Sequence, residues 1–325
     1  MGKISYECTT IGIDLGGTKV ATALVDGDGK ILFSSRYPTN SGEGPERIVK
    51  DLIKVVERSQ DEVGTIAEAI GVGVAGQVDK AGVVRSAPSL PFRNEPLQDR
   101  IEDELGIPTV VTNDVRVATY GEWKYGSGRG VEDLVVIFVG TGIGGGVVSG
   151  GRLLQGCTNT FGEIGHIPLV ANGRKCRCKS RGCIEAYAGG WAIAERARDA
   201  VSENHLEGGT IIELAGGVEE VTSATVGDAY DRGDDLAGVI VVETGIYLGL
   251  GVVGIVNAFN PCCIVLGGGV IEGIPDIIGI VEKIVRENAL TPNSEEVKFV
   301  KASLGDRAGV IGAAVMAREK MLVER

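Results

Sequence analysis

The sequence predicts an α/β fold in two domains. Three observations predict it. Apolar runs of strand length alternate with stretches of helical periodicity along the chain. A plan of apolar strand, Thr/Gly-rich turn and apolar strand occurs twice, from Thr10 and again from Leu134. The length, 325 residues, exceeds what one small core organises. No linker rich in Pro or Ser separates the halves, so two domains packed with a cleft between them are expected.

Thr10 to Asp14 is apolar and β-prone, Gly16-Gly17 turns the chain, and Val20 to Val25 forms a second strand. After the turn Gly27-Asp28-Gly29, a third strand, Lys30 to Tyr37, completes a β-meander. Pro45 opens a helix with Ile48, Leu52, Val55 and Val56 at helical spacing. Ala69 to Val74 and Pro108 to Thr112 are short buried strands, and a helix follows from about Val115 to Trp123. The pattern restarts with a strand from Leu134 to Val139, a turn from Gly140 to Gly146 and a strand from Val147 to Ser149. Helices are expected at Trp191 to Glu203, Thr222 to Asp231 and Leu236 to Phe259. Strand Cys263 to Leu266 runs into Gly267-Gly268-Gly269. A helix at Pro275 to Asn288, a strand at Val297 to Lys301 and a helix at Ala308 to Leu322 complete the series.

Composition narrows the function. A formal charge of −12 disfavours nucleic-acid binding driven by phosphate neutralisation and fits a soluble cytoplasmic protein. Seven cysteines in so long a chain do not form a secreted disulfide framework. Cys8, Cys262 and Cys263 are expected as small buried residues. Met1 to Thr10 lacks the apolar core of a signal peptide, and Tyr6 stands where myristoylation needs Ser or Thr. The apolar run from Thr244 to Pro261 is short and glycine-laden, so a core helix is expected there and not a membrane span. His205, in a polar stretch, is expected to be an exposed loop residue.

Gly140 to Glu185 holds the densest chemistry. It contains GTGIGGG, then Gly162-Glu163-Ile164-Gly165-His166, then Cys176-x-Cys178-x4-Cys183-x-Glu185. Three thiols and an imidazole make a Cys₃His set suited to tetrahedral, structural zinc. A metal-free loop and an RNA-binding zinc knuckle are the alternatives; Arg174, Lys175, Arg177, Lys179 and Arg181 interleave the cysteines. Glu163 and Glu185 bracket the set and would accept hydrogen bonds from sugar hydroxyls, or form local caps and ion pairs.

Two glycine turns could meet phosphate. Asp14-Leu15-Gly16-Gly17-Thr18-Lys19 lacks Walker spacing, and a strand follows it where a P-loop has a helix. Its amides and the Thr18 hydroxyl could approach phosphate oxygens, and Asp14 could hold Mg²⁺ through water; a plain hairpin is the alternative. Gly140 to Gly146, with Thr141, repeats the arrangement or marks close strand packing. Asn113-Asp114, between a strand and a helix, is either a helix N-cap or a carboxylate positioned to take a proton from an attacking hydroxyl. Gly267 to Gly269 admits an adenine ring or ends the strand.

These motifs, in this order, resemble the ROK family of sugar kinases and related repressors, within the actin-like ATPase superfamily. DLGGTK at Asp14–Lys19 is similar to the family's first phosphate motif. Val139 to His166 fits its signature glycine for glycine, CRCKSRGCIE at Cys176–Glu185 its zinc loop, and LGGG at Leu266–Gly269 its adenosine motif. The resemblance implies two actin-like (ribonuclease H-like) ATPase domains with a cleft closing on sugar. Residues 1–115 with 303–325 would form one, and residues 116–302, with the zinc loop 166–185, the other. It implies ATP with Mg²⁺ and a structural Zn²⁺ held by His166, Cys176, Cys178 and Cys183. By position Asp114 is the general base, and Asn113, Glu163, His166, Glu185 and Gly76 contact the sugar. Asp14, Gly16, Gly17, Thr18, Lys19, Thr141, Gly142, Gly268 and Gly269 serve ATP. A glucokinase-like hexose kinase, assembled as a homodimer or homotetramer and free of nucleic acid and membrane, is the expectation. An N-acetylmannosamine or fructose kinase is the alternative. A sugar-responsive regulator is another, though the first strand near Thr10 leaves no room for a helix-turn-helix. Two departures bear on which sugar is bound: Gly73-Val74-Ala75-Gly76-Gln77-Val78-Asp79 where members often read G-[IV]-P-G-P-V-D, and Pro88-Ser89-Leu90 where glucokinase-like members often read Pro-Asn-Leu.

Overall fold

The computed structural model describes residues 8–203 and 208–324. The expectations for Met1 to Tyr6 and for His205 fall outside these described residues. By contacts the chain divides into two units: Met1–Gly130, Leu153–Phe161 and Leu304–Arg325 form unit 1; Val131–Arg152 and Gly162–Ser303 form unit 2.

Unit 1 begins with the meander β1 (Thr10–Leu15), β2 (Lys19–Val25) and β3 (Ile31–Pro38), followed by α1 (Pro45–Val63) and β4 (Ala69–Val74). Pro in the first turn of α1 and a left-handed Gly64 just past its end, bonded to the Gln60 carbonyl at 2.8 Å, fix its limits. Next come β5 (Gln77–Val78), β6 (Val84–Ser86), β7 (Arg93–Glu95), α2 (Leu97–Leu105), β8 (Thr109–Asn113) and α3 (Asp114–Tyr125). The main sheet has the order β3-β2-β1-β4-β8, with β4 parallel to both β1 and β8. Strand alternation sorts its faces. Ile11, Ile13, Leu15, Ile70, Val72 and Val74 join α1 and α2 in one core. Gly12, Asp14, Gly71 and Gly73 occupy the other face.

Unit 2 contains β9 (Leu134–Val139), β10 (Ile143–Ser149), β11 (Arg152–Leu153), α4 (Glu185–Ala188), α5 (Gly190–Glu203), α6 (Gly209–Ala215), α7 (Ser223–Asp231) and α8 (Asp235–Phe259). It continues with β12 (Cys263–Gly267), α9 (Gly269–Gly273), α10 (Asp276–Asn288), α11 (Asn293–Glu296) and β13 (Lys298–Lys301). Its sheet order is β11-β10-β9-β12-β13. Helix α8 is the one described helix long and apolar enough for a membrane span, yet 56% of its most apolar window is buried. It is a core helix, as expected. Its Gly245 and Gly249 lie against Ile280 and Ile284 of α10.

The last helix, α12 (Ala308–Glu324), returns to unit 1 and covers the glycine face of its sheet. A Cβ on Gly12 would stand 1.8 Å from the Val310 carbonyl oxygen, and one on Gly71 would stand 1.9 Å from that of Ala313. Gly312 faces the Val117 oxygen of α3 at 1.7 Å by the same measure.

The structure departs from the sequence expectations in four places. Gly144 to Gly146 are strand, paired with Phe138, Ile137 and Val136. The turn is only Gly140 to Gly142, because the glycines serve close packing: a Cβ on Gly145 would meet Ile164 at 2.5 Å. Cys262 is exposed and Cys8 half-buried, while Cys263 alone of the three is buried. Contacts keep α3 with unit 1, past the expected bound at residue 115, because this helix lies on α12. Finally α2, α6 and the small sheet β5-β6-β7 are additional elements; Leu97, Ile101 and Leu105 of α2 do recur at helical spacing, whereas strands of two or three residues carry too few alternations.

Gly312→Ala is expected to lower unfolding stability by about 1–3 kcal/mol through overpacking. Gly279→Ala in α10, whose Cβ meets nothing within 4 Å, should leave stability equal or slightly raised. Paired urea titrations check both.

Candidate active site

In unit 1 the β1–β2 turn closes through the Gly16 N–H donating to the Lys19 carbonyl at 3.0 Å. Thr39 holds it from β3's end, its hydroxyl donating to the Gly16 oxygen at 2.7 Å and its N–H to the Thr18 oxygen at 2.9 Å. Ser89 lies against Gly17, 2.4 Å from where a Cβ would stand. Thr18 and Lys19 are exposed. Burial pushes the Asp14 carboxyl up, with Lys19 acting against the shift. Lys19 and Arg36 are instead drawn to Asp306, at 4.0 and 3.1 Å. Asp14 is thus a half-buried carboxylate whose nearby cations are shared with Asp306, which suits a hydrated divalent cation.

Also in unit 1, Asn113 caps α3, its side-chain oxygen accepting from the Arg116 N–H at 3.2 Å. Its amide nitrogen donates to the Gly76 oxygen at 3.1 Å and to Asp114 Oδ1 at 2.8 Å. The capping reading therefore holds, and the cap also aims Asp114 and fastens Gly76. Arg116 of α3 is buried, and burial brings its pKa down to about 10. Its guanidinium donates to the carbonyls of Leu154 and Asn159 at 2.9 and 3.2 Å. The Asn159 side chain in turn donates to the Val78 oxygen at 3.1 Å.

Unit 2 gathers the remaining sequence-predicted residues. Gly140 and Thr141 accept from the N–H groups of Gly190 and Trp191 at 2.9 and 3.0 Å, so the turn leans on the start of α5. Glu185, 7% exposed, accepts the Ile143 N–H at 2.9 Å through Oε2 and the Trp191 indole N–H at 3.2 Å through Oε1. Gly142 is required there, because its Cβ would stand 2.5 Å from Glu185 Oε2. Glu163 is exposed and precedes a single 3-10 turn, Ile164–His166.

His166, Cys176, Cys178 and Cys183 converge, all four ligand atoms lying within 4.8 Å of one another. His166 Nδ1 is 3.7 Å from Cys176 Sγ, and Cys178 Sγ is 3.7 Å from Cys183 Sγ. Zn–S bonds of about 2.3 Å in a tetrahedron give edges of about 3.8 Å, so this set fits zinc. Burial pushes the Cys176 thiol up to about 12 and the Cys183 thiol upward too; a cation would supply the charge that thiolates here lack. Arg174 is paired with Glu195 and Asp199, and Arg177 lies over the Trp191 ring.

A cavity of about 520 Å³, the size of small-ligand pockets, opens beside Gly140 and Thr141 and is lined further by Trp191, Ser223, Gly269 and Ile274. Gly269 lines it, whereas Gly268 acts behind it. Its φ of +89° and a Val139 oxygen 2.6 Å from its would-be Cβ admit only glycine. Sequence reasoning missed Arg177, Trp191, Arg198 and Ser223 on this wall. Gly189-Gly190-Trp191 was the available signal.

Chelation is expected to release about one zinc per chain. Cys183→Ser should lower both metal content and Tm, as read by metal analysis and thermal unfolding. Asp14→Asn, which removes a half-buried charge, should leave Tm unchanged or higher in thermal unfolding.

Residues 10–320 match the ROK family. A glucokinase of Streptomyces coelicolor is 34% identical over 313 residues, covering 95% of this chain and 98% of that one. The xylose repressor of Bacillus subtilis is 27% identical over 308 residues, covering 93% of this chain and 75% of that one. The crystal structure of a ROK family glucokinase from Streptomyces griseus, in complex with glucose and AMPPNP, superposes with a TM-score of 0.82 at 34% identity, covering 96% and 99% of the two chains. The chain shares the two-domain actin-like architecture of these structures. With its signature motifs in order and nearly its whole length matched, this chain belongs to the ROK family.

Proposed function

We propose that the chain is an ATP-dependent hexose kinase that transfers the γ-phosphate of ATP to the 6-hydroxyl of glucose or a similar hexose. The observation that carries this reading is the 520 Å³ cavity ending on the Gly140–Thr141 turn, which Glu185 ties to the metal loop. The relatives support it, since identity to a glucokinase, 34%, exceeds identity to a repressor, 27%.

In this reading the nucleotide's base end lies by Gly269 and Ile274 and its phosphates by Thr141, with Gly142 and Gly268 shaping the wall. The Asp14–Lys19 turn receives the phosphate chain. Magnesium, when bound, would offset charge on the transferred phosphoryl group, and Asp14 is the residue that would hold it through water. Asn113, Gly76, Glu163, His166 and Glu185 bind the sugar. With His166 Nδ1 among the cysteines, its Nε2 is left for a sugar hydroxyl. Glu185 already accepts two internal hydrogen bonds and keeps lone pairs for hydroxyl donors. Zinc braces this recognition loop. Asp114 takes the proton from the attacking hydroxyl. The Asn113 amide donates to Asp114 Oδ1 and so helps to aim the carboxylate.

The Gly76 and Ser89 segments, which depart from glucokinase-like members, leave N-acetylmannosamine and fructose as alternative acceptors. A cytoplasmic homodimer or homotetramer is part of the proposal. Val239, Val242, Ile246 and Leu250 form an exposed apolar row along α8 that supports self-association.

Asp114→Asn should reduce kcat by about 10²–10⁴ and leave sugar affinity within a few-fold. Turnover near wild type would remove Asp114 from this role. A coupled assay over hexoses and N-acetylhexosamines, with ATP and with polyphosphate, tests the reaction itself.

A further inference from the structure

We propose that Arg177, a residue of the metal loop, is a ligand of the nucleotide's phosphates, so that this loop serves phosphate-donor binding as well as sugar recognition. The inference rests on the kinase reading and on nucleotide occupying the 520 Å³ cavity.

Arg177 stands between Cys176 and Cys178, two members of the metal set. Its backbone is therefore held from both sides. Its guanidinium carbon lies 4.7 Å from the centroid of the Trp191 ring, and both residues line the cavity. The position along the cavity follows from backbone bonds. The Trp191 N–H donates to the Thr141 oxygen at 3.0 Å and the Gly190 N–H to the Gly140 oxygen at 2.9 Å. The indole N–H also donates to Glu185 Oε1 at 3.2 Å, and Glu185 holds the Ile143 N–H, so the pair sits beside the glycine turn.

Charge supports the assignment. Arg198 lines the same cavity, with one guanidinium nitrogen donating to the Val221 oxygen at 2.9 Å. Among the described residues, no carboxylate lies within ion-pair distance of Arg177 or Arg198. Their neighbours Arg174 and Arg196 are paired with Glu195, Asp199 and Glu243. In a chain with twelve excess negative charges, two guanidinium groups without carboxylate partners on one cavity wall mark an anion's place. Asp228 is the one carboxylate on the lining. A guanidinium over an aromatic ring can still use its N–H edge, the part that matches phosphate oxygens, and Arg177 is exposed on the cavity lining. The competing account is that Arg177 merely covers the indole ring and helps seat the loop.

The two accounts differ in what they do to ADP relative to adenosine. Calorimetry on zinc-loaded protein, with zinc counted per chain, measures both ligands in wild type, Arg177→Ala and Arg177→Lys. Expected is a ten- to hundredfold loss, roughly, of ADP affinity in Arg177→Ala, the size of a lost charge-assisted contact. Adenosine affinity should stay within about twofold and zinc near one per chain, with Arg177→Lys intermediate. Unchanged ADP affinity, or equal losses for ADP and adenosine, overturns the proposal. If Arg177→Ala sheds zinc, Arg177→Lys decides by the same comparison. Gly273→Val, which adds bulk at a lining glycine whose Cβ would meet nothing within 4 Å, should weaken both ligands. Wild-type protein that binds neither ligand, or Gly273→Val that binds both undiminished, overturns the nucleotide reading itself. Tight wild-type ADP binding that ignores Arg177 overturns only the role of this arginine.

Discussion

The constraint on which unit 1 depends is the approach of α12 to the sheet at backbone distance. Four glycines permit it. Gly12 of β1 and Gly71 of β4 leave room for the Val310 and Ala313 carbonyls, while Gly121 of α3 and Gly312 of α12 let the two helices meet without side chains between them. Each added methyl would fall well inside van der Waals contact with main-chain atoms that cannot rotate away. Two candidate functional groups follow from this contact. Asp14 shares the glycine face of β1, and its carboxylate lies over Gly309 at the start of α12, where a Cβ would come to 2.8 Å. Asp114 begins α3, and α3 takes its place from α12. A close-packed interior is thus what gives these carboxylates fixed positions.

Unit 2 solves its positioning problem with polar contacts. Glu185 is the junction. One oxygen holds the backbone of Ile143 beside the glycine turn, the other holds the Trp191 indole, and Cys176 Sγ stands 3.8 Å from Oε1. A buried carboxylate left without donors would be costly, so the indole and amide partners are a condition of its burial. Packing then follows the polar frame. Gly165 lies under the Ile143 carbonyl and Gly162, at a φ of +100°, under that of Gly145. The glycines of the signature are read most simply as clearance for these contacts.

How much of this was legible in the sequence depended on range. Thr10 to Val25, Ala69 to Val74 and Leu134 to Val139 were readable because short apolar, β-prone runs and the glycines that bound them are local signals. The metal set was readable because four candidate ligands, three Cys and one His, fell in one short stretch. Gly144 to Gly146 were not, since a glycine run has the same composition as a turn or as a strand under close packing; only Ile164, eighteen or more residues on, decides between them. Cys263 begins β12, every residue of which is buried, while Cys262 stands in the bend before it, a boundary that a dipeptide does not reveal. The cavity wall was hardest. Trp191, Ser223 and Gly269 come from α5, α7 and α9, and no period links them.

The two glycine turns share a sequence plan and differ in how they are held, and the difference has a physical consequence. The β1–β2 turn is fixed by its own Gly16–Lys19 bond and two bonds from Thr39, with Thr18 and Lys19 exposed at its tip. The β9–β10 turn is held on three sides: by α5 at Gly140 and Thr141, by Glu185 at Ile143, and through Glu185 by the cysteine loop. Loops with few buried partners open at low free-energy cost, whereas loops tied to a core open only with it. The first turn is therefore the one free to adjust to a ligand, and the second is the one already shaped for it. A metal held by Cys176 and Cys183 would brace the second turn at one remove, through Glu185.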